Sequence, residues 1–250
     1  YSHYIEKMKK SKTRIFVNKT ISSNLLIYIK NKQHHFLKNV LRIKVNDEIN
    51  VFDSITGEWK SIVIAINRDN TVLRIRSIVD KIKPSSDIWL IFAPIKQHRM
   101  SIAIQKATEL GVAKIIPCIT EFTNIRKINT KNLNDNAIEA AEQCGRLDVP
   151  KIEKQIEFNT LLSNWPKDRK LIYCNERIDT NQSIIDKLSP YKNSINKWAV
   201  LIGPEGGFSN HENKLLSESN DVLSVSLGEK LLRSDTAITV SLFIIQQLLV

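Results

Sequence analysis

From residue 87 onward, short unbroken apolar runs alternate with amphipathic stretches, and this alternation limits the possible folds more than any other feature of the chain. Residues 87–93, 113–119, 170–174, 198–202 and 222–227 read as strands. A strand apolar along its whole length is buried on both faces, whereas a strand with one wet face alternates with period two. Between these runs, residues 100–110 and 132–144 carry helical spacing, and Gly111 and Gly145 are placed as C-caps. Further helical stretches lie near Ile184 and Leu215, and residues 238–250 form an apolar closing helix. The expectation is an α/β domain with a mostly parallel sheet covered on both faces.

Residues 14–80 follow another rule. Short β-rich runs at 14–17, 48–53, 58–66 and 71–80 are separated by the turn signals Ser54-Ile-Thr-Gly57 and residues 67–70. Residues 31–42 read as a short helix with Phe36, Leu37, Val40 and Leu41 on one face. Close strands joined by tight turns suggest a small, mostly antiparallel barrel. Residues 81–86, Lys-Ile-Lys-Pro-Ser-Ser, read as a linker, giving an N-terminal domain over 1–83 and a second domain over 84–250.

Several function classes fall away. The apolar stretch 238–250 contains Ser241, Gln246 and Gln247 and is shorter than the roughly 20 residues a membrane span requires. A protein of the cytoplasm, without a membrane anchor, is expected. Cys118, Cys144 and Cys174 are far apart and the five histidines lack ligand spacing, which argues against a metal site. The formal net charge of +11 favours a polyanionic partner such as RNA.

Glycine carries the chemical signal. The chain has seven glycines, and Gly203, Gly206 and Gly207 fall together directly after an apolar strand. In open α/β sheets ligands lie beyond the carboxyl ends of strands, where such a loop sits. Gly228 ends a second strand, and Ser234 or Asp235 can cap the helix beyond it. Neither loop matches GxGxxG or GxxxxGK[ST], so dinucleotide and P-loop sites are disfavoured.

Ile202-Gly-Pro-Glu-Gly-Gly-Phe-Ser209 followed by Leu227-Gly-Glu-Lys-Leu-Leu-Arg-Ser-Asp-Thr-Ala237 resembles the paired signature of the RsmE family of the SPOUT superfamily. Gln105-Lys-Ala-Thr-Glu-Leu-Gly111, Glu142-Gln-Cys-Gly-Arg146 and His35-Phe-Leu-Lys-Asn-Val-Leu-Arg42 extend the likeness over nearly the whole chain. The resemblance implies a PUA-like barrel, a methyltransferase domain with a C-terminal trefoil knot, and a homodimer. It implies S-adenosyl-L-methionine as cofactor and N3 of a uridine in the 16S rRNA of the small ribosomal subunit as target. Leu201, Ile202, Gly203, Pro204, Glu205, Gly206, Gly207, Leu227, Gly228 and Leu232 are the expected cofactor lining. Two departures stand out: Glu229-Lys230 replaces the usual Pro-Arg, and Ser234-Asp235 the usual Thr-Glu.

Uracil N3 must lose a proton before it attacks, and charge then spreads onto O2 and O4. Arg233 is expected to stabilise that charge, with Glu205 or Glu121 as the nearby carboxylate. Arg14, Lys38, Arg42 and Lys44 are expected to meet phosphates, with Lys96, His98 and Arg99 on the second domain. Gln143 and Arg146 are candidates for contact with RNA, the partner subunit or the sheet. A ribose 2′-O methyltransferase and a non-catalytic RNA-binding relative are the competing readings.

Overall fold

The computed structural model describes residues 13–82, 86–175, 183–192 and 197–249; Lys83, Pro84 and Ser85 of the expected linker lie outside them. They form two compact units, residues 13–82 with 141–149, and residues 86–140 with 150–249. Residues 141–149, read from the sequence as part of the second domain, group with the first.

In the first unit a five-stranded sheet runs in the order β1 (Arg14–Phe16), β3 (Glu48–Asp53), β4 (Gly57–Ile66), β5 (Asn70–Lys81), β2 (Leu26–Lys30). Only β1 and β3 pair in parallel; the rest is antiparallel. Period-two burial sets the register, as in β2, where Ile27 and Ile29 face the core while Leu26, Tyr28 and Lys30 face solvent. The β3–β4 turn is held by Asp53, whose carboxylate accepts from the backbone of Ile55, Gly57 and Ile21. Gly57 is obligatory there, since a Cβ would stand 2.2 Å from the Asp80 carbonyl. The expected helix over 31–42 is instead α1 (Asn31–His35) continued by a π-helical turn over Phe36–Val40. Leu37 reaches the core, but Val40 and Leu41 are exposed. Strand β2 escaped the sequence reading altogether.

The second unit is built on a seven-stranded sheet, parallel at every pairing. Its order is β12 (Val222–Val225), β10 (Lys170–Cys174), β11 (Lys197–Ile202), β6 (Asp87–Phe92), β7 (Lys114–Ile119), β8 (Lys151–Ile152), with β9 (Ile156–Glu157) also on β7. The unbroken apolar runs are its central strands; all of β11 beyond Lys197 is buried. Ala199 and Leu201 pack against α4 (Phe158–Ser163) and α6 (Asn210–Glu218). Alternation turns Trp198 and Val200 to the opposite face, which α7 (Ser234–Leu249) covers with α2 (Gln97–Glu109) packed on it. The remaining helices are α3 (Thr130–Cys144) and the short α5 (Ile184–Leu188). Among the described residues no helix is long and apolar enough to cross a membrane.

The C-terminal end of α3 explains two arginines expected to bind RNA. Arg14 donates to the carbonyls of Ala141 (3.0 Å) and Arg146 (2.8 Å) and pairs with Glu58 (3.1 Å). Carbonyls at a helix end lack intrahelical partners and carry partial negative charge, so a guanidinium satisfies both needs. Arg146 forks onto Asp148 at 2.7 and 2.9 Å. Glu142, in the same segment, accepts from Phe16 N and Gln33 Nε2, both at 2.9 Å. Arg14 and Arg146 are therefore structural, with their donors turned to protein acceptors and not to phosphate. Arg14→Ala is expected to lower the unfolding free energy by about 2–4 kcal/mol in denaturant titration, because Glu58 and the helix end lose their cation together. The salt dependence of RNA binding should not change; a weakened RNA affinity at unchanged stability would return Arg14 to the RNA surface.

Candidate active site

Register brings three strand ends to one level. Tyr173 pairs with Leu201 and Cys174 with Val225, while Ile202 lies beside Phe92. The chain leaves these strands at Asn175, Gly203 and Ser226. Asn175 N donates to Val225 O (3.0 Å), and Ser234 Oγ donates to Gly203 O (3.3 Å), which ties the start of α7 to the glycine loop. Between these segments lies a cavity of about 130 Å³ that opens to solvent. Ile202 and Gly203 form one wall, and Leu227, Gly228 and Leu232 form another. Cys174, Asn175, Ser226, Ser234 and Ala237 complete the interior, with Glu229, Lys230 and Leu231 along the loop. Burial pushes the Cys174 thiol up to about 12, so it is a neutral wall and not a nucleophile.

The glycines have different reasons to be glycine. Gly207 has φ +71°, and a Cβ there would meet nothing within 4 Å, so its backbone conformation is the constraint. Gly203 lacks that conformation; a Cβ there would stand 2.5 Å from Phe208 Cε2. Phe208 is a buried anchor, with Tyr173 edge-on at 5.0 Å and Phe158 at 5.9 Å. Gly203 therefore stays bare so that the loop can fold onto this ring. Gly207 borders a smaller adjoining cavity with Tyr173, Asn175, Phe208 and Asn213.

A buried carboxylate supports the loop from behind. Glu212, 4% exposed, closes a capping box with Ser209 at the start of α6. One oxygen accepts from Ser209 N and the other from Glu121 N, both at 2.9 Å. It thus joins the glycine loop to the loop after β7. The expected carboxylates hold other positions. Glu205 is exposed, pairs with Arg99 and does not line the cavity; the Glu121 side chain is also exposed.

Of the expected cofactor residues, Ile202, Gly203, Leu227, Gly228 and Leu232 line the cavity and Gly207 its neighbour. Leu201 belongs to the core, Pro204 is buried outside the lining, and Gly206 faces Phe122. Arg233 is exposed immediately before α7, and among the described residues its guanidinium has no partner. Arg42 and Lys44 are exposed on the first unit, whereas Lys38 is half-buried and its Nζ donates to Asn67 O (3.0 Å); Arg42 is held at φ +52°. Cys174 and Asn175 went unread, because only the strand order places the end of β10 between β11 and β12.

Two family models match the chain: an RNA methyltransferase domain over residues 82–246 and an RNA methyltransferase PUA domain over 29–76. The ribosomal RNA small subunit methyltransferase E of Rickettsia conorii is 36% identical over 225 residues, covering 90% of this chain and 91% of that protein. Its namesake in Buchnera aphidicola from Schizaphis graminum is 29% identical, covering 96% and 97%. The crystal structure of a ribosomal RNA small subunit methyltransferase E from Neisseria gonorrhoeae, bound to S-adenosyl methionine, superposes with a TM-score of 0.83 at 25% identity, covering 95% of this chain and 98% of that one. Sequence, N-terminal sheet and parallel sheet agree, and the chain belongs to the ribosomal RNA small subunit methyltransferase E family.

Proposed function

We propose that this enzyme transfers the methyl group of S-adenosylmethionine to N3 of a uridine in 16S rRNA within the small ribosomal subunit. The observation that carries the reading is the cavity where the two glycine-bearing loops meet. Its walls suit the uncharged nucleoside part of that cofactor: the apolar Ile202, Leu227, Leu232 and Ala237, the bare backbone of Gly203 and Gly228, and polar atoms on Asn175 and Ser226. When bound, S-adenosylmethionine supplies an electrophilic methyl group on a positive sulfur.

The chain's own residues then have three tasks. The loop 226–232 and the glycine loop hold the cofactor and exclude water from it. Glu229, the one carboxylate among the described lining residues, takes the place expected of Glu205 as proton acceptor. A carboxylate is a weak base toward an imide, so stabilisation of the uridine anion matters more. Arg233, unpaired among the described residues, meets the charge on O2 or O4.

The first unit is assigned to RNA docking through Lys38, Arg42 and Lys44. Assembly as a homodimer through the second unit belongs to the same proposal, supported by Phe243, 53% exposed on α7. So does a trefoil knot, supported by the bond from Ser234 to Gly203. A ribosomal substrate sets the work in the cytoplasm.

Calorimetry with S-adenosylmethionine tests the cavity. Gly207→Val should lose at least about tenfold in affinity while staying folded, since it strains a left-handed backbone by roughly 1–2 kcal/mol. Gly203→Val should also lower stability by displacing Phe208. Unchanged affinity in both would remove the loop from the site.

Steady-state kinetics separates chemistry from docking. Arg233→Ala should lower kcat by about 10²–10³ with RNA affinity nearly unchanged, as for a donor used mainly in the transition state. Lys38→Ala with Arg42→Ala should keep kcat and reduce the salt slope of RNA binding by about two. The reverse pattern would exchange the two roles.

Target identity is read by mass spectrometry of nucleosides from small subunits lacking the modification, incubated with enzyme and labelled cofactor. N3-methyluridine is expected, with subunits labelled far better than protein-free 16S rRNA, because a folded subunit presents its phosphates already ordered. Recovery of a 2′-O-methylated nucleoside, or equal labelling of both substrates, would overturn the reading.

A further inference from the structure

The turn over Pro204–Gly207, closed by Gly207 N donating to Pro204 O (2.9 Å), follows Gly203 at the cofactor cavity and ends at the smaller adjoining one. Its outer side carries an aromatic ring with no part in lining that cavity. Phe122 is 43% exposed, although the loop that bears it is firmly held. Thr120 N donates to Thr123 Oγ1 (2.9 Å), the two buried hydroxyls meet at 2.8 Å, and Glu121 N is bonded to buried Glu212. A side chain at Gly206 would stand 3.4 Å from Phe122 Cβ and 3.9 Å from its ring carbon Cδ2. The ring therefore lies over bare backbone, beside the exposed Arg99–Glu205 pair. Its chain neighbours Glu121, Asn124, Arg126 and Lys127 are all exposed.

We propose that Phe122 is a stacking platform for one base of the substrate RNA, laid against the outer side of the glycine turn, with Arg126 and Lys127 meeting the adjoining phosphates. The proposal rests on the RNA methyltransferase reading and adds a positioning residue to it. Single-stranded RNA is recognised largely by stacking unpaired bases on exposed aromatic rings, with nearby cations following the backbone. A protein partner would call for a contiguous apolar patch with few charges at its centre. A single ring among charged and amide neighbours fits a base instead. Its firm anchorage also means little ordering is needed when the base arrives.

Phe122→Ala and Phe122→Trp, compared with wild type, test this. The alanine variant should raise KM for small subunits about tenfold, the size of one lost stack, and Trp should restore it. The turnover number should stay within about twofold, since the stack is made before the chemical step. Calorimetric affinity for S-adenosylmethionine and the melting temperature should not move. Fluorescence anisotropy with a labelled single-stranded RNA oligonucleotide should lose affinity in parallel. Loss of cofactor affinity in the alanine variant would reduce the ring to packing for the turn. Dissociation of a dimer would assign it to a subunit interface, and a Trp variant no better than Ala would exclude stacking. If the wild type transfers no methyl group to subunits, the methyltransferase reading fails, while the oligonucleotide comparison still decides the role of Phe122.

Discussion

Parallel strands cannot be joined by tight turns, so each must be followed by a loop that starts the chain back toward the other end of the strands. In this protein the pairing of Tyr173 with Leu201 and of Cys174 with Val225 makes three such loops depart side by side. Backbone groups beyond a strand end lose their ladder partners, and buried ones must find others. They find each other, as in the bonds from Asn175 N to Val225 O and from Ser234 Oγ to Gly203 O. The cavity is the space these crossed loops leave. A change of strand order would dissolve it even if every loop kept its own conformation.

Loops that hold a ligand must also be held, and the support here is mostly out of contact with the cavity. Phe208 turns back beneath Gly203 into an aromatic cluster with Tyr173 and Phe158. Tyr173 Oη donates to Asn213 Oδ1 (2.5 Å), and Asn213 Nδ2 donates to Phe208 O (3.0 Å), so the same ring is fixed by its side chain and its carbonyl. Glu212 does comparable work from the other side with both carboxylate oxygens. Placement of reacting groups to within a fraction of an ångström depends on such support.

Much of this architecture was legible in the sequence because it depends on local pattern. Unbroken apolar runs located the parallel strands, and a cluster of three scarce glycines together with Gly228 located the loops. What escaped depends on partners remote in sequence. Arg14 looks like any basic residue of an RNA-binding barrel until α3 ends beside it, 127 residues further on. Glu205 reads as catalytic by its motif, yet Arg99 pairs with it 106 residues away in sequence. The helix over 31–42 failed for a more local reason: Leu41 N bonds to Phe36 O across a π-turn, so Val40 and Leu41 face outward. Strand β2 alternates as a strand should, but the Ser-Ser-Asn before it and the basic, polar run after it obscured its ends.

The distribution of arginine shows how a basic chain divides its charge between structure and chemistry. A guanidinium cannot shed its proton when buried, so it must be given acceptors. Arg169, 3% exposed, receives Asp87 and the Trp198 carbonyl and stacks at 3.7 Å over Trp89. Arg14 and Arg146 are satisfied in the same manner. Each of these bonds lowers the guanidinium's value to any further anion, because an arriving phosphate would have to displace an acceptor already in place. The net charge of +11 therefore overstates the cations available to RNA. Arg42 shows the opposite case: its side chain is exposed, on a backbone held in the left-handed region at φ +52°. Arg233 is similar, exposed at the start of α7 with no partner among the described residues. Under the proposed function, such a cation has no protein acceptor to leave when charge develops on the uridine, and gives up only water and side-chain freedom.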